Sequence, residues 1–332
     1  MYARSVLFLC LFSVSLSAKI FEEFVFENPP FASCHASTLT ETASGKLLCA
    51  YFAGSEEGAR DVGIWLSVQT ETGWSEPRLL AKDPEAPCWN PVLFTLPSGE
   101  ILLFYKVGLR PSSWSGVLQR SYDEGASWTP AEPLPAGIVG PAKSKPLLLP
   151  DGTLLCGSSI ETWRRWGCWI DLTSDQGKTW TKSTPINLPT TVMGIIQPTL
   201  FFTPAGDLRL LARSYNTEAI CTAVSKDGGK SWSEAEPTEL PNPNAGIDAV
   251  RLQSGQIVLA YNHSTTKRTP LNLALSDDGG AHWQPSLVLE KTPGEYSYPS
   301  IIQTKDGRIH IAYTYRRTQI KHVRLDVADL LP

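Results

Sequence analysis

The chain has 332 residues and a formal net charge of −4 at pH 7, so nothing in its charge suits it to nucleic acid or an acidic membrane, and its partner is expected to be small or near neutral overall. Eleven tryptophans and 26 prolines, with almost no stretch of helical period, indicate many short strands and turns. No Pro/Ser linker or low-complexity run divides them.

The first segment, MYARSVLFLCLFSVSLSA, sets Arg4 ahead of an apolar run that ends in small residues near Ala18. It reads as a secretory signal peptide over residues 1–18, too short for a comfortable membrane span, and it predicts a secreted or periplasmic protein. Six cysteines then remain, at positions 34, 49, 88, 156, 168 and 221. Cys156 and Cys168 lie on consecutive strands of one hairpin and are expected within bridging distance, with buried free thiols as the alternative. No metal-ligand spacing is present and no cofactor is implied.

From Lys19 onward the chain is a repeat. KIFEEFVFE (Lys19 to Glu27) is extended, and six segments then read as strand, glycine turn, strand: TLTETASGKLLCAY, PVLFTLPSGEILLFY, PLLLPDGTLLCG, PTLFFTPAGDLRLLA, DAVRLQSGQIVLAY and PSIIQTKDGRIHIAY. Their turn glycines are Gly45, Gly99, Gly152, Gly206, Gly255 and Gly307. After four of these hairpins comes a second turn, SYDEGASW, TSDQGKTW, SKDGGKSW or SDDGGAHW, whose aspartates Asp123, Asp175, Asp227 and Asp278 recur at a period of about fifty residues. A worn copy, SVQTETGW at Ser67 to Trp74, has lost the aspartate. Each unit is thus a four-stranded antiparallel meander, and six of them stacked about an axis bury their apolar faces, which predicts an all-β, six-bladed propeller over residues 19–332. The last unit lacks its second turn and ends in IKHVRLD (Ile320 to Asp326). Residues 19–27 are expected to supply its outer strand, closing a monomeric ring.

Repeats of the form S-x-D-x-G-x-[ST]-W, the BNR or Asp-box turn, on a six-bladed propeller with a signal peptide resemble the sialidase (neuraminidase) superfamily over essentially the whole mature chain. The resemblance implies three arginines for a sugar carboxylate, a tyrosine nucleophile helped by a glutamate, and an aspartate as acid/base. The turn glycines serve as a ruler. Nine or ten residues before them stand His35, Asn90, Gln197 and Tyr298, with Lys145 seven before in a shorter hairpin; seven residues after them stand Lys106, Arg213 and Asn262. All are expected at one mouth of the axis.

On this ruler Tyr298 matches the family's nucleophile, Arg213 its second arginine, and Arg268 its third. His35 replaces the first arginine and Gln197 the glutamate, a change that matters because glutamine accepts no proton. Glu57 and Asp61, in the loop FAGSEEGARD, are the candidates for the acid/base. Trp89 and Trp163 are candidates for stacking on sugar rings. Three functions follow: a hydrolase for a terminal acidic sugar, a lyase or rhamnosidase on rhamnose-glucuronate glycans using His35 and Tyr298, or a propeller that binds acidic oligosaccharides without chemistry.

Overall fold

All six turn glycines adopt φ between +86° and +93°, a region where a Cβ clashes with backbone, so each hairpin is fixed by the one residue type that tolerates it. The computed structural model describes residues 20–189 and 193–330, and the leader expected at 1–18 lies outside the described residues. Within them the chain forms six antiparallel sheets. Blade 1 runs Ser33–Glu41, Leu47–Gly54 and Gly63–Thr70, with its outer edge split into Gly73–Trp74 and Arg78–Ala81. Blades 2 to 5 repeat the meander, and blade 6 comprises Tyr296–Gln303, Ile309–Tyr315, Gln319–Leu325 and the N-terminal strand Phe21–Phe24.

Closure follows the expected register: Phe21 pairs with Arg324 and Phe24 with Lys321. Side chains reinforce this ladder, since Lys321 Nζ reaches Glu22 and Glu290, each at 2.7 Å. Buried His322 lies between Glu23 (2.9 Å) and His310 (2.9 Å). Trp74, from the worn turn, donates its indole N–H to Glu23 at 2.8 Å and thereby clamps the closing strand from the neighbouring blade.

The four intact turns explain their own sequence. Each aspartate accepts the hydroxyl two residues before it and the backbone N–H four residues after it, as Asp123 does from Ser121 and Ser127. Trp128, Trp180 and Trp232 each donate to the carbonyl of the turn glycine three residues back, at 2.9–3.2 Å. Trp283 is more deeply buried than these three, but its Nε1 has no partner. The core lies between blades: Val258, Leu271 and Leu273 of blade 5, for example, pack on Ile301, Ile311 and Tyr313 of blade 6. Alternate strand residues are committed to such faces, which is what pins the register.

The expectation for Cys156 and Cys168 is overturned by that register. Cys156 pairs with Asp171 while Cys168 pairs with Ser159, so the two are three residues out of step. An odd offset puts their side chains on opposite faces of the sheet. All six cysteines are buried free thiols.

Candidate functional site

The inner strand bulges at one equivalent point in four blades, between His35 and Thr38, Trp89 and Val92, Ile196 and Thr199, and Ser297 and Ser300. At those bulges Ala36, Asn90, Gln197 and Tyr298 carry positive φ, from 37° to 56°. Such strain in non-glycine residues gathers where a site over-determines the backbone. All four stand nine residues before a turn glycine, and the same count gives Lys143 in blade 3 and Gly246 in blade 5. A Cβ on Gly246 would come within 3.2 Å of the Tyr298 ring, so this position leaves the room that the tyrosine fills.

Tyr298 is the centre of the arrangement. Its phenol oxygen accepts Arg213 Nη1 at 2.6 Å and Gln197 Nε2 at 3.3 Å, so charge developing on that oxygen meets donors already in place. Arg213 is held in turn by Gln197 Oε1 (3.1 Å) and Asn244 Oδ1 (2.9 Å). His35 lies against the tyrosine ring, with centroids 4.1 Å apart, and its Nδ1 bonds Thr314 Oγ1 at 2.8 Å. Arg268 sits over the same ring at 5.7 Å. His35, Gln197, Arg213 and Tyr298 therefore converge, as the glycine ruler requires, and Arg268, which that ruler does not place, joins them.

A further arginine completes the group. Arg317 occupies the turn after Ile309–Tyr315, at φ +63°, and its carbonyl accepts the N–H of Cys34 at 2.8 Å. That bond brings it beside His35, the residue that stands where the resemblance leads one to expect an arginine. Glu295 bridges Arg317 (2.6 Å) and Arg268 (2.8 Å), and Glu57 pairs with Arg317 at 2.5 Å. Burial pushes the Glu295 carboxyl up, but the two guanidinium groups outweigh it and keep the residue ionised. Burial, followed by Arg317, Arg268, Arg213 and Lys143, holds His35 well below the usual histidine range, so the imidazole is neutral.

The other expected lining groups are committed elsewhere. Asn90 donates to Ala142 O at 3.1 Å, and Lys106 Nζ, fully buried, bonds the carbonyls of Asn90 and Pro141. Asn262 donates to Pro270 O (3.1 Å) and Tyr296 O (2.9 Å), bracing the strand that carries Tyr298. Lys145 does not reach this mouth: it pairs with Asp248 at 2.9 Å and lines a cavity of about 350 Å³ beside Gly99 and Lys305, at the glycine-turn end. Its place on the axis is taken by Lys143, whose ammonium bonds the carbonyls of Ile247 and Pro299. Asp61 is exposed, with both oxygens accepting from Ser55 at 2.8 Å. Trp89 is buried, its N–H on Gly108 O, whereas Trp163 is 82% exposed. Among the described residues no three His, Cys, Asp or Glu side chains gather as metal ligands, and no helix is long and apolar enough to cross a membrane.

What this arrangement can do is hold an anion against a tyrosine and a neutral histidine: three guanidinium groups offer directed donors for a carboxylate. The chain matches the BNR repeat-like domain over residues 45–311. It is 25% identical over 232 residues to a sialidase of Bacteroides fragilis (strain YCH46), covering 64% of this chain and 41% of that protein, so it spans less than half the length of that relative. Among solved structures, a protein of unknown function from Dyadobacter fermentans DSM 18053 superposes with a TM-score of 0.78 at 18% identity, covering 92% of this chain and 97% of that one. The Hadza microbial sialidase Hz136 gives 0.77 at 18% identity, covering 90% and 66%. The intramolecular trans-sialidase from Ruminococcus gnavus, in complex with oseltamivir carboxylate, gives 0.73 at 14% identity, covering 95% and 98%. The chain belongs to the BNR repeat-like family, and its propeller has the fold of the solved sialidases.

Proposed function

We propose that this is a secreted glycoside hydrolase that removes a terminal acidic sugar. The observation that carries the reading is the grouping of Arg213, Arg268 and Arg317 about Tyr298, with Arg213 bonded to the tyrosine oxygen. The sugar carboxylate would sit among the three arginines, placing the anomeric carbon against Tyr298 as nucleophile. Gln197 cannot take the tyrosine proton, but His35 is packed on that ring and neutral. A bound carboxylate offsets the arginine charges that depress His35, so substrate binding itself makes the imidazole a stronger base.

A second reading draws on the same histidine. A neutral base beside a tyrosine, facing an arginine-neutralised carboxylate, is equipment for taking the proton next to that carboxylate, which on a uronate gives β-elimination. The two readings separate on products. Incubation with a sialyl glycoside should release free acidic sugar, lost in Tyr298→Phe. Incubation with a rhamnosyl-glucuronate oligosaccharide that instead yields absorbance from an unsaturated uronate, lost in His35→Ala, would replace the first reading by the second. Tight binding of both without product would leave a binding protein.

A further inference from the structure

We infer that Glu161, in the role expected of Glu57 or Asp61, is the general acid that protonates the departing glycosidic oxygen; this rests on the hydrolase reading above. Asp61 is poorly placed for that work. Its oxygens are both occupied by Ser55, chiefly the hydroxyl bond of which lowers its pKa. A general acid has to arrive protonated.

Glu161 ends the strand Leu154–Glu161 in blade 3, two residues beyond Ser159 and therefore on the same face. Ser159 Oγ accepts the backbone N–H of Gln197 at 3.1 Å, so that face looks onto the strand of blade 4 that holds Tyr298 and Arg213 in place. Two residues of strand carry Glu161 about 7 Å further toward the mouth. Its register partner is Trp166, whose ring lies 5.7 Å from the Arg213 guanidinium. The carboxyl is half-buried, and no side-chain hydrogen bond contributes to its surroundings.

The charges that act on it are Arg213 from blade 4 and Glu57 from the blade 1 loop, itself paired with Arg317. Burial raises the Glu161 pKa, Arg213 opposes this, and Glu57 adds to it, with a net upward result. A sugar carboxylate on Arg213 would cancel the one opposing influence, moving the Glu161 pKa further in the direction a general acid needs. Two carboxyls whose pKa values their surroundings push in opposite directions are the arrangement that acid catalysis uses.

Glu161 gives its proton to the glycosidic oxygen as the bond from that oxygen to the anomeric carbon breaks. Tyr298 oxygen bonds the anomeric carbon, and its proton passes to His35. Water then attacks that carbon, Glu161 carboxylate takes the water proton, and the tyrosine oxygen leaves and recovers its proton from His35.

The test compares Glu161→Gln and Asp61→Asn, each verified as folded by thermal melting, on acidic-sugar glycosides with a nitrophenyl or a sugar leaving group. Glu161→Gln is expected to lower kcat/KM on the sugar aglycone by about 10²–10⁴-fold, to affect bond cleavage in the nitrophenyl substrate far less, and to erase the alkaline limb of the pH profile. Equal losses on both substrates, no loss at all, or the leaving-group dependence appearing in Asp61→Asn would overturn the assignment while leaving the hydrolase reading intact. A wild-type protein inert on every glycoside would overturn both.

Discussion

Replacing Arg317 by alanine tests the carboxylate site at the residue least visible in the sequence. In the free protein its Nε and Nη1 are held by Glu295 and Glu57, so the fork is fixed and its remaining N–H groups are available to a ligand. One charge-assisted hydrogen bond to an anion contributes about 1.5–3 kcal/mol, a loss of roughly 10- to 150-fold in affinity. Arg317→Lys keeps the charge without the planar fork and should fall between the two. Titration calorimetry with free sialate or glucuronate reads the affinity. A second signal comes from His35, for which Arg317 stands first among the charges that depress the pKa, after burial. Its imidazole resonance should titrate at higher pH in Arg317→Ala than in the parent. Affinity unchanged within a factor of two, with His35 titrating as before, would refute the idea that Arg317 replaces the missing arginine.

Asp248, buried on the axis, accepts from Lys145, Thr199 and the N–H of Ile301. Asp248→Ala strands these donors and should cost about 3–5 kcal/mol, roughly 5–8 °C in Tm at about 2 cal/mol/K per residue. Asp248→Asn should cost less, and a loss below about 1 °C in the alanine variant would contradict the picture. The six buried thiols should resist an aromatic disulfide reagent in the native protein and all react in denaturant without reductant; a shortfall of two would reveal a disulfide. His310, pushed down to about 3 by burial and then by His322, binds its proton in the unfolded chain near pH 6.5 but not in the fold. Its share of stability is therefore complete above that pH and lost as pH falls toward 3. His310→Gln should flatten urea-derived stability against pH in this window by up to one proton, and an unchanged slope would exclude the effect.

The ring was legible because its devices are local. A φ near +90° admits glycine, an aspartate turn needs its hydroxyls and tryptophan, and both recur at a fixed period. The same ruler placed Tyr298, Gln197 and Arg213, since a constant offset from a fixed turn fixes position in space. It failed where it was adjusted. In blade 3 the first strand is only Leu147–Leu148, and shortening the count to Lys145 missed Lys143, which the unaltered offset of nine finds. Arg317 lay beyond its reach, in a turn between the second and third strands, and only the Cys34 bond across the blade boundary reveals its neighbour. Cys156 and Cys168 were misread because hairpin register depends on the geometry of the Thr162–Arg165 turn, which composition does not disclose.

Ring closure by Phe21–Phe24 has a consequence for how the protein is made. The earliest-synthesised strand of the ring waits for the latest, a separation of roughly three hundred residues whose loop entropy has to be met before any closing bond forms. During translation the nascent chain presents two unpaired sheet edges, one on Phe21–Phe24 and one on whichever blade is newest, and both invite association with other chains. Once Gln319–Leu325 emerges, it pairs with Phe21–Phe24 on one side and Ile309–Tyr315 on the other in a single event. A chain stopped short of that strand is thereby a different physical object from the finished ring: it has most of the blades and none of the protection that closure gives.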